Sequence, residues 1–202
     1  MNRYSIPFQV PALLAAFGAG CVTPVQMRQM QQSAGTYSMS PNFDLNRMWR
    51  IAVLPAGFAA GTPAESPDNS VMSPLYDYAG LALMRVGKVA LVDRSEVDRI
   101  LAEQQFSSSG VVDPGTAARL GRLVGAEAVM LVHVNSVKHD DFFSDSPDQR
   151  TAKLYVKIIS VETAEVLYYS QGEGSSFDGA DDALNGAVDF ALNPLVVKGN
   201  GR

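Results

Sequence analysis

The hydrophobic pattern is most regular between Lys88 and Val137, and the elements it predicts there set the frame for the rest of the chain. Val89 to Val92 is a short apolar run suited to a buried strand. Ser95 followed three residues later by Asp98 gives an acidic variant of the capping box, and Val97, Ile100 and Leu101 then recur at helical spacing, leaving Glu96, Arg99 and Glu103 to solvent. Asp113 as N-cap and Pro114 at the first helical position open a second helix with an inward stripe of Ala117, Leu120, Gly121 and Val124, and Gly125 supplies the left-handed stop. Ala128 to Val134 is almost continuously apolar, which predicts a central strand covered on both faces.

Upstream, Arg50 to Pro55 predicts a first strand and Gly57 to Asn69 a loop. Ser73 and Pro74 then start a helix with Leu75, Ala79, Ala82, Leu83 and Val86 inward, ended by Gly87. Downstream, residues 138–150 form an acidic loop. Ala152 to Val161 and Val166 to Gln171 are strands at hairpin spacing across Glu162 to Glu165. Ala180, Ala183, Leu184, Ala187 and Ala191 mark a last amphipathic helix, expected to stop before Pro194. The order is β-α-β-α-α-β-β-β-α. Helical crossovers lay down parallel strands and the final strands form a meander, so the fold class is α/β on the border of α+β: a single domain with a mixed sheet and flanking helices.

With 202 residues, 47% of them hydrophobic, the chain can bury one proper core. The formal charge is −5, and because Arg3 is the one charged residue in the first twenty, loss of that segment leaves −6. Neither a nucleic-acid surface nor a polybasic membrane patch fits that balance. A single cysteine excludes an internal disulfide and a multi-cysteine metal site. Catalytic constellations are missing too. Ser107, Ser108 and Ser109 have no G-x-S-x-G elbow, no phosphate-binding glycine motif occurs, and the aspartates at 140, 141, 145 and 148 do not follow calcium-loop spacing. Of two histidines, His133 falls inside the central strand as a core imidazole, and His139 falls in the solvated acidic loop. No catalytic residue, cofactor, metal or small-molecule substrate is expected.

The amino terminus places one basic residue before an apolar run broken by Pro7, Gln9 and Pro11 that ends at Gly18-Ala19-Gly20-Cys21. The run is too interrupted for a spanning helix, which needs ~20 apolar residues. It resembles a bacterial lipobox, with Gly18 where leucine is usual. That resemblance implies a lipoprotein signal peptide over 1–20, acyl chains on Cys21, and, since Val22 follows, an outer-membrane anchor facing the periplasm. Residues 21–48 lack a sustained period and predict a flexible tether with a span of roughly 30 Å. The domain is then expected over 49–197, with 198–202 as a tail.

V-D-R-S-E-V-D-R-I-L-A-E-Q-Q (92–105) and V-D-P-G-T-A-A-R-L-G-R-L-V-G-A-E-A-V-M-L-V-H-V (112–134) resemble the core of the CsgG family of curli-secretion lipoproteins and the related holdfast-anchoring lipoproteins. I-A-V-L-P (51–55) and V-K-I-I-S-V-E-T-A-E-V-L (156–167) follow the same pattern in order. The layout also resembles LpoB, an outer-membrane lipoprotein that activates a penicillin-binding protein. Related hairpins commonly read T-G-E where this chain has Thr163-Ala164-Glu165, so a left-handed turn there would strain an alanine. The curli pore needs two membrane-spanning hairpins, and the acidic segment 138–151 and the short link after Gln171 cannot supply them.

The resemblance thus implies a non-enzymatic envelope lipoprotein with a protein partner. The leading expectation is a structural or assembly component of curli or holdfast type, with homo-oligomerisation open; the alternative is an LpoB-like regulator of a peptidoglycan synthase. The short tether weighs against the alternative. Phe142 and Phe143 in the acidic loop, and the edge of the Tyr155 to Tyr169 hairpin, are the candidate contact surfaces.

Overall fold

Strands β1 (Tyr37–Met39), β2 (Trp49–Val53), β3 (Gly57–Phe58), β4 (Val89–Leu91), β5 (Ala128–His139), β6 (Arg150–Ser160) and β7 (Val166–Ser176) form one sheet, with helices α1 (Asn69–Met84), α2 (Arg94–Glu103), α3 (Pro114–Leu123) and α4 (Ala180–Asn200) around it. The computed structural model describes residues 36–59, 69–104, 113–139 and 149–200. They belong to the unit Ser33–Arg202; the other unit, Met1–Gln32, lies outside them.

The sheet order is β1-β7-β6-β5-β2-β4, with β3 beside β5. β2 runs parallel to β4 and β5, as helical crossovers require, while β5, β6, β7 and β1 are successively antiparallel. Alternation along the central strands sorts their side chains into two cores. Met130, Val132, Val156 and Ile158 meet Leu75, Ala79 and Leu83 of α1 and Leu184, Ala187 and Val188 of α4. Val129, Leu131 and Ile159 meet Val97, Ile100 and Leu101 of α2 and Ala117 and Leu120 of α3 on the other face. The predicted mixed sheet with flanking helices is therefore the fold.

Local features decide where elements begin and end. Asp113 caps α3 as expected, accepting from the N–H groups of Gly115 and Thr116 at 2.9 Å each. Gly87 and Gly125 take the left-handed conformation, with φ of 76° and 67°, at their expected stops. Several expectations are corrected. The cap of α2 is Asp93, whose carboxylate accepts from Ser95 N–H at 2.8 Å, and Asp98 pairs with Arg94 instead of closing a box. Helix α1 begins at Asn69, so Pro74 lies within it, past the first turn, and takes one hydrogen bond from the helix. The expected buried strand 89–92 is an edge strand, only partly covered.

Two corrections concern the ends of the domain. β1 and Phe43, which is buried, lie in the stretch expected to be tether, so the folded part begins well before residue 49. Ser40 N–H donates to Leu167 O at 2.8 Å, and Ser40 Oγ and Asn42 Nδ2 donate to the Glu165 carboxylate at 2.7 and 3.0 Å. The polarity of this segment hides it, because an edge strand with a solvated outer face needs few apolar residues. At the other end α4 continues through Pro194 to Asn200, taking in most of the expected tail. Pro194 removes one helical hydrogen bond, but Leu195 beyond it is fully buried and keeps the helix on the sheet.

Candidate partner-binding surfaces

Cys21, Phe142 and Phe143 lie outside the described residues, as do Ser107 to Ser109 and the aspartates of the acidic loop. The hairpin edge proposed as a contact is not free. β6 lies between β5 and β7, and β1 covers the outer side of β7 at Tyr168, Tyr169 and Ser170. The sheet ends instead at β1 on one side and at β4 on the other, neither with a strand beyond it among the described residues. No group of three or more histidine, cysteine, aspartate or glutamate side chains that could hold a metal occurs among those residues.

His133 continues the α2/α3 face of β5 past Leu131. Its ring is 3% exposed and stacks on Tyr155 of β6, centroids 4.9 Å apart, and Tyr155 in turn lies 5.8 Å from Tyr169 of β7. Lys157 places its ammonium 4.9 Å from the Tyr155 ring and 5.9 Å from Tyr169. Three rings thus cross three strands. The imidazole differs from the expected satisfied one, since its Nδ1 is buried with no hydrogen-bond partner. Burial, then the nearby Lys157 charge, pushes its pKa below the usual histidine value. Burial, then Tyr169, raises the Tyr155 phenol. Its surroundings are those of a core residue.

Among the described residues, grooves flank the sheet at two places of interest. One, of about 600 Å³, opens under the β6–β7 turn between Asn42, Trp49, Arg122, Glu127, Thr163 and Glu165. Its polar groups are engaged. Arg47 lies 3.6 Å over the Trp49 ring and pairs with Glu127 at 2.8 Å, Glu127 also accepts from Arg50 N–H at 2.9 Å, and Arg122 donates to Val161 O at 2.9 Å. The Arg50 N–H first, then Arg47, hold the Glu127 carboxyl below its usual range. These contacts tie strand starts to the turn and leave a structural corner.

The second groove, of about 410 Å³, lies between α1 and β4. Gly80 forms its floor, Leu81, Met84 and Leu91 its walls, and Asp77, Asp93 and Arg94 its rim. Leu81 and Met84 are 53% and 56% exposed, among the few large apolar side chains left in solvent. Arg94 lies over Tyr76 and binds Asp77 at 2.5 Å, Asp98 at 3.3 Å and Ser73 Oγ at 3.0 Å. Tyr76 donates to Val53 O at 3.0 Å, and its burial raises the phenol pKa. The sequence carried one sign of this groove: Leu81 and Met84 are apolar yet lie off the inward stripe of their helix.

Residues 74–173 match the family model of the peptidoglycan-synthase activator LpoB. The match runs from α1 to β7 and falls on the second of the two families that the sequence resembles. No curated protein matches the chain. Solved structures with a similar chain path include the PelC dodecamer of Paraburkholderia phytofirmans, at 14% identity over 79% of this chain and 96% of that one, TM-score 0.49. The LpoB C-terminal domain of Salmonella enterica has 16% identity over 74% and 90%, TM-score 0.45. The NMR structure of Escherichia coli LpoB has 14% identity over 87% and 82%, TM-score 0.47. Among the described residues, no helix is long and apolar enough to cross a membrane.

Proposed function

We propose that this protein is a non-enzymatic lipoprotein of the bacterial envelope whose domain binds and activates a peptidoglycan synthase. The LpoB match over residues 74–173 carries this reading, because it runs from within α1 through the second helical crossover to the meander of β5, β6 and β7. The described side chains agree with a binding role: polar groups bridge elements, and two exposed apolar ones, Leu81 and Met84, stand together beside an open sheet edge. Acylation at Cys21 anchors the chain in the outer membrane, facing the periplasm. Residues 22–36 then separate the anchor from β1, a reach of at most ~50 Å fully extended. The synthase must therefore extend towards the outer membrane to be met. The test is binding of the purified chain to the immobilised peptidoglycan synthases of its host. Saturable binding to one of them supports the reading, and failure with all of them contradicts it.

A further inference from the structure

We infer that the groove between α1 and β4 takes an extended peptide segment of a protein partner by strand addition, its apolar side chains entering at alternate positions and a basic residue meeting the acidic rim. Three observations carry this. The first is the edge itself. Trp49 N–H donates to Lys88 O and Val92 N–H donates to Ile51 O, both at 2.9 Å, so Lys88 and Val92 turn towards β2. In a parallel ladder the alternate residues turn the other way, and Val89 and Leu91 present N–H and C=O to the side where no described strand pairs. The strand, Val-Ala-Leu, is short but contains neither a charge nor a proline, two of the devices that blunt an edge.

The second observation is Gly80. A glycine inside a helix costs about 1 kcal/mol against alanine. Packing does not require it here, because a Cβ would meet Leu91 Cδ1 at 3.5 Å, an ordinary contact. What the missing side chain does keep is the open floor of the groove, between two apolar walls that remain in solvent. The third is charge. Asp77 and Asp93 share the rim with the single guanidinium of Arg94, which is itself paired with both Asp77 and Asp98, so the rim is left net negative and favours a cationic side chain. An edge strand beside a helix with side-chain pockets between them is the geometry in which main-chain bonds give affinity and alternate side chains give specificity.

The inference rests on the proposed function only in assuming a protein partner. Its test uses the full chain and a labelled peptide, acetyl-Lys-Leu-Lys-Val-Lys-Leu-amide, followed by fluorescence anisotropy in about 0.15 M salt. Saturable binding is expected, weakened about tenfold by Gly80→Leu and by the double substitution Leu81→Gln with Met84→Gln, and equally by a proline in place of the central lysine of the peptide. Leu81 and Met84 are exposed, so the double variant keeps the test valid should Gly80→Leu fail to fold. Absence of binding, or equal binding by both peptides and all variants through charge alone, would overturn strand addition. Either result leaves the synthase-binding measurement intact, because that uses the whole partner.

Discussion

Ala164 holds φ at 58° in the β6–β7 turn, the strain its place in the Thr-Ala-Glu sequence foreshadowed. Ser160 fixes it: Ala164 N–H donates to Ser160 O at 3.0 Å, and Ser160 N–H donates to Glu165 O at 2.9 Å. A left-handed L-residue costs ~1–2 kcal/mol, part of which glycine returns as unfolded-state entropy. Ala164→Gly should thus add about 0.5–1 kcal/mol and raise the thermal midpoint by about 1–4 °C; a lowered midpoint would refute the account of the turn. At His133 the prediction concerns pH. The buried imidazole stays neutral while the unfolded chain takes up a proton near pH 6.5, so its contribution is full above that value and declines as pH falls towards the lowered folded pKa. His133→Phe keeps a ring against Tyr155 and removes the orphaned Nδ1. Unfolding free energies from urea titrations should fall less between pH 7.5 and 5.5 in the variant than in the parent, by up to ~1.4 kcal/mol per pH unit. Parallel curves would show that His133 titrates freely.

At the scale of elements, α3 is the best test of packing. A Cβ on Gly121 would come within 2.6 Å of Val129 Cγ1 and also meet Val161, so the glycine lets the helix lie close on the sheet. Gly121→Ala should cost about 1–3 kcal/mol by overpacking, despite the better helix propensity of alanine, and denaturant unfolding reads the sign directly. A stabilised variant would displace the helix from its assigned position. This helix was legible in the sequence because each signal was local: Asp113 as cap, Pro114 after it, the stripe through Leu120, and Gly125 as stop. The cap of α2 was not, since Asp93, Ser95 and Asp98 all suit a cap and the choice depends on Arg94 reaching across to Asp77. The run through Pro194 was not either. Only the burial of Leu195 and Tyr168 O–H donating to Ala191 O at 2.6 Å, both products of tertiary packing, explain why the helix outlasts its proline.

For the whole molecule, sheet topology determines which surfaces remain for a partner. Hydrophobic runs foretold the central parallel strands and the meander, but they carry no information on which strand lies at an edge. Hence the hairpin was expected to be open and β4 buried, when β1 pairs with the first and no described strand pairs beyond the second. The candidate site was legible only as two apolar residues off a helical stripe, because a groove needs Gly80 of one element and Leu91 of another to be brought together by the fold. The same topology leaves the described domain with helices on both faces of the sheet, so the surfaces it leaves for a partner are edges and grooves. The proposed role is to raise the activity of a synthase by such contact. The rate of lipid-linked disaccharide polymerisation by the bound synthase, with and without a molar excess of the chain, tests this most directly. A several-fold rise that saturates with the chain is predicted; an unchanged rate at saturating binding would contradict activation and leave a tethering role in its place.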